Sequence, residues 1–186
     1  NTNTSCATLS MNPNAFSSTY SDITVYTNSP NGYSLTVSAT EPNLVNTADS
    51  TLTIPAGALI EQDGTGEQAG QKVVPGGQNK WAYKTDNGII TDWTAVTTSP
   101  AAIKSYDNYT EGGDTTRVTY GISAGSNPTG TYTTELTYTA TMFDDTNPYV
   151  SKISVPAVAN LTASTDSLSI PFGHATTITV TPATGY

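Results

Sequence analysis

Hydrophobic and polar residues alternate through much of the chain. In 131–142 the apolar positions Tyr132, Leu136, Tyr138, Ala140 and Met142 fall on every second residue, and threonine fills most of the gaps. Such a period of two marks a strand with one face toward a core. The same pattern runs through Ile23 and Val25, then Tyr33, Leu35, Val37 and Ala39, with Pro30 and Gly32 between, and predicts a hairpin over 21–40. Residues 51–60 predict a short strand stopped by Pro55, and Lys72–Val74 another within a Gly-rich loop. Asn87-Gly88 predicts a type I′ turn that would set Trp81, Tyr83 and Trp93 on paired arms. Residues 104–116 read as an Asp- and Gly-containing loop. Val118, Tyr120 and Ile122 then alternate, and Ser123–Gly130 turns them back as the first arm of a hairpin with 131–142.

The predicted inner face is therefore Ile23, Val25, Leu35, Val37, Val118, Tyr120, Ile122, Leu136 and Tyr138, with Thr137 outside. The turn formers of 144–149 interrupt the alternation. Beyond them lie three or four short strands, too few for an ordinary independent core. The expectation is an all-β chain: an antiparallel Ig-like β-sandwich over 1–145, then a short additional C-terminal β segment, 146–186, as added strands or the start of a second domain. Strands of that segment, 150–186, would pair on their own chain, with another copy or with a following repeat.

Composition narrows the chemistry. Ser and Thr number 54 and charged residues only 11%, which disfavours long exposed helices. Fifteen acids against 6 bases give a net charge of -9, so nucleic acid is not an expected partner. No apolar run approaches the roughly 20 residues of a spanning helix, and membrane insertion of this segment is not expected.

A nucleophile triad needs a base; His174, the sole histidine, follows Gly173 in a turn and reads as an exposed loop residue. Cys6, also alone, reads as a small apolar residue, and one His with one Cys cannot close a zinc site. Two groups of hard oxygen ligands would suit structural calcium: Asp107, Asn108, Glu111 and Asp114, and Asp144, Asp145 and Asn147. Both are also ordinary turn compositions. A secreted hydrolase with paired carboxylates finds no motif, and Glu135 falls on the threonine face as a solvated residue. Trp81, Tyr83 and Trp93 serve as core aromatics or, facing outward, as a platform for a glycan.

Three stretches, "SPNGYSLTVSA" at 29–39, "KWAYKTD" at 80–86 and "NPTGTYTTELTYTAT" at 127–141, together resemble a module of bacterial cell-surface proteins related to the Ig-like sandwiches of adhesins and pilins. The tail "HATTITVTPATGY" is similar to the opening half of bacterial Ig-like surface repeats, which would set Tyr186 in mid-domain. The resemblance implies secretion, extracellular display on a bacterial surface, and a passive role in stalks, fibres or attachment to a glycan or protein receptor. It brings no catalytic residue and no cofactor. The Leu-Pro-x-Thr-Gly wall-anchoring signal is missing from these residues.

Overall fold

The computed structural model describes residues 7, 9–110 and 112–143, and the backbone of four strands between 151 and 182. The chain divides into two compact units, Asn1–Phe143 and Asp144–Tyr186. The first holds β1 (Phe16–Val25), β2 (Tyr33–Ala39), β3 (Leu44–Asn46), β4 (Thr53–Ile54), β5 (Gln62–Asp63), β6 (Lys72–Val73), β7 (Lys80–Thr85), β8 (Ala101–Tyr106), β9 (Asp114–Ser123), β10 (Tyr132–Thr133) and β11 (Leu136–Met142). In the second, β12 (Ser151–Ser154) pairs with β14 (Ser167–Ile170), and β13 (Leu161–Ala163) with β15 (Val180–Pro182). Every pairing between these strands is antiparallel, and an isolated bridge between Ala56 and Trp81 is parallel.

The first unit sets a sheet ordered β1-β9-β7 and a sheet ordered β11-β2-β8 around one core, with β10-β3-β4 as a third, smaller sheet. Leu35, Val37 and Ile103 of one large sheet and Val118, Trp81 and Tyr83 of the other are almost completely buried in that core, and Leu44 and Ile54 of the small sheet join it. The chain is all-β, with antiparallel sheets consistent with a β-sandwich. All nine residues of the predicted inner face belong to the core or pack against it, and Thr137 is exposed.

Pairing departs from the expected hairpins. β1 and β2 lie in different sheets, so 26–32 is an arch across the core and not a hairpin loop. β9 and β11 likewise fall in different sheets. Alternation specifies which face of a strand is apolar, and two apolar faces meet as well across a core as side by side. The Asn87-Gly88 turn is also not type I′: neither residue has the positive φ that type demands. Thr85 N–H instead donates to Ile90 O (2.6 Å), and the second arm contributes only a bridge at Thr94, exchanging bonds with Tyr83. The true ladder partner of β7 is β9. Asn87 is used differently, its Nδ2 donating to Thr115 O (2.6 Å) and its Oδ1 accepting from Arg117 N–H (3.3 Å). Part of the expected loop 104–116 is strand, ending β8 and opening β9.

Candidate functional site

The proposed aromatic platform is interior. Trp81, Tyr83 and Trp93 are 3%, 1% and 6% exposed, so none offers a flat face to a ligand. Trp81 and Tyr83 share the inner face of β7, as period two requires, and Trp81 Nε1–H donates to Pro42 O (2.9 Å). Burial raises the Tyr83 phenol above its ordinary range, and its hydroxyl has no hydrogen-bond partner among the described residues. Trp93 lies apart from the pair, in a smaller cluster with Ala82 and Leu59, against which Phe16 and Val74 pack. There it meets Phe16 edge-on at 5.7 Å and carries Lys84 Nζ 4.8 Å above its ring. Gly121 makes room for this second cluster, because a Cβ at 121 would sit 2.6 Å from Trp93 Cζ3.

Of the expected calcium ligands the structure describes Asp107, Asn108 and Asp114. Asp107 and Asn108 are exposed, while Glu111, Asp144, Asp145 and Asn147 lie outside the described residues, as do Cys6 and His174. Asp114 is already engaged: its Oδ2 accepts from the Tyr33 hydroxyl (2.8 Å) and faces Lys104 Nζ at 3.4 Å. Burial, then the Asp114 carboxylate, pushes the Tyr33 phenol up. Among the described residues no three His, Cys, Asp or Glu side chains are grouped to hold a metal ion. Glu135 is exposed, as alternation predicts.

Two further charged pairs form among the described residues. Arg117 makes a two-pronged contact with Asp22 (2.8 and 2.9 Å) and lies 3.9 Å from the Tyr20 ring centroid. That contact holds the Asp22 carboxyl below its ordinary range and the guanidinium above its own. Lys72 pairs with Asp63 at 2.6 Å.

An open depression lined by Tyr26, Thr27, Asn28, Thr110 and Met142 lies where the arch meets the end of β11. Tyr26 is 69% exposed and Tyr109 49%. The Tyr26 ring is seated against Gly113, where a Cβ would come within 2.7 Å of Cε1. Thr110 fastens the arch beneath: its hydroxyl donates to Val25 O (3.0 Å) and accepts from Thr27 N–H (2.7 Å). Sequence reasoning missed this place. Its signal was Tyr26 following inward-facing Val25, since alternation then points the ring outward.

No protein-family model, no curated protein and no solved structure matches the chain.

Proposed function

We propose that the chain is a non-enzymatic structural or adhesive module of a secreted bacterial surface protein or fibre. The carrying observation is the use to which its reactive side chains are put. Asp22, Asp63 and Asp114 are tied to cations or hydroxyls, and Trp81, Tyr83 and Trp93 are in the core. Among the described residues the open depression is lined by no acid or base. Threonine-faced strands around an aromatic core suit a spacer that must persist outside a cell, and the three stretches that resemble surface modules support the same reading.

Antibody against the full chain should label intact cells of the source organism, and the chain should release no product from panels of glycosides, esters and peptides. Labelling only after permeabilisation, or turnover that disappears on substituting an acid, would count against the proposal.

One observation favours glycan binding second: Tyr26 is an exposed ring seated on a glycine, with Asn28 beside it in the depression. A rigid aromatic with polar neighbours suits a pyranose, whose apolar face stacks while its hydroxyls bond. Binding on a glycan array that is lost in Tyr26→Ala would promote this reading; no binding by the parent chain would remove it.

A further inference from the structure

Three of the four outer edges of the two large sheets are guarded. On β7, Trp81 N–H donates to Pro55 O (3.1 Å), Gly57 N–H donates to Trp81 O (2.9 Å), and Thr94 bonds with Tyr83. On β8, Ile103 O accepts from Ile89 N–H at 2.7 Å. β1 carries the charged Asp22 clasped by Arg117, and charge on an edge strand discourages pairing. Among the described residues β11 has no such protection. Its sequence Leu-Thr-Tyr-Thr-Ala-Thr-Met holds no charge, proline or glycine, its register with β2 is unbroken, and no described strand lies beyond it.

The free edge has a definite polarity. Phe143 N–H donates to Gly32 O (3.1 Å). In an antiparallel ladder this alternation turns the main-chain groups of Thr137, Thr139 and Thr141 toward β2, and those of Leu136, Tyr138, Ala140 and Met142 outward. Along β11 the apolar-phase side chains are unevenly covered. Leu136 and Tyr138 pack against the core, whereas Ala140 and Met142 are exposed, Met142 by 56%.

We propose that this edge pairs with β11 of a second copy, antiparallel about a two-fold axis at Thr139. The register brings Tyr138 opposite Ala140 and Leu136 opposite Met142, so the covered half of each strand shelters the bare half of the other. On the opposite face Thr139 meets its own mate and Thr137 meets Thr141, a favourable cross-strand pairing. No charge lies within the paired seven residues, so the net charge of -9 is not concentrated at the contact. The interface is isologous and closes on itself. It does not depend on the surface reading above.

Sedimentation of the full chain from micromolar to millimolar concentration should show mass rising from 19.4 kDa toward twice that value. Ala140→Pro removes an outward N–H and leaves the bonds to β2, and Thr139→Lys sets like charges at the axis. Each should weaken the dimer at least about tenfold with unchanged far-UV circular dichroism. In a Cys6→Ser background, Thr139→Cys would form a non-hydrogen-bonded pair with Cα atoms about 4.5 Å apart, within disulfide reach. Oxidation should link copies at 139 and not in Ala140→Cys, and this readout decides the matter if the proline variant fails to fold. A monomer at every concentration, or a dimer indifferent to both substitutions and linked no better at 139 than at 140, overturns the proposal.

Discussion

Gly121 lies on the central strand β9 beneath the Trp93 ring, and the space of one methyl group there decides whether the second cluster can close. A Cβ would stand 2.6 and 2.7 Å from two Trp93 ring atoms and 2.9 Å from Phe16 Cε2, and two aromatic rings in contact have little room to give. Gly121→Ala should therefore destabilise the chain by about 1–3 kcal/mol in urea unfolding, the usual cost of overpacking. Gly112→Ala, where a Cβ would meet nothing within 4 Å, should change it by less than about 0.5 kcal/mol. Two core tyrosines give a second contrast. The Tyr138 hydroxyl shares a 2.7 Å bond with that of Tyr120, while the Tyr83 hydroxyl is buried without a partner among the described residues. Tyr138→Phe should cost about 1 kcal/mol, whereas Tyr83→Phe should be neutral or stabilising, because it removes a desolvated, unpaired group. Equal losses in the two variants would show that the Tyr83 hydroxyl is satisfied after all.

At the scale of the element, the arch of 26–32 depends on one side chain from a distant loop. The Thr110 hydroxyl serves Val25 O, at the last ladder position of β1, and Thr27 N–H, which lies past the end of that strand. Thr110→Val keeps the shape but orphans the Thr27 N–H, and should cost about 1–3 kcal/mol by denaturant unfolding; a loss below about 0.5 kcal/mol would mean that solvent replaces the hydroxyl there. The arch also shows what the sequence could and could not disclose. The phase of every long strand was legible, because Leu136 and Thr137 cannot exchange faces without reversing the whole pattern. The partners were not legible, since Tyr120 and Tyr138 meet through their hydroxyls from opposite sheets with the same alternation a hairpin would show. β8 escaped notice because Ile103 is its one large aliphatic side chain, and β3 because it is only three residues long. The aromatic trio was legible as core. Its division was not, because Trp93 sits on a segment that forms no strand of its own and joins β7 through an isolated bridge at Thr94.

For the whole molecule, tyrosine links the sheets and makes stability depend on pH. Burial is the first cause of the upward shift at Tyr33, Tyr83 and Tyr138; the Asp114 carboxylate adds to it at Tyr33, and Tyr120 at Tyr138. In the unfolded chain these phenols ionise near pH 10. Above that pH the unfolded state releases protons that the folded state retains, so the slope of unfolding free energy against pH is negative. The stabilisation is fully present below about pH 10 and is lost as pH rises from there toward the higher folded values. Phenolate absorbance from these three residues should accordingly appear together with loss of near-UV circular dichroism, as one cooperative opening of the sandwich. Tyr138→Phe should flatten the alkaline fall while leaving its sign unchanged, because one of the three linked protons is gone. If all tyrosines ionise near pH 10 with near-UV dichroism intact, those hydroxyls are open to solvent and the sheets do not close over them.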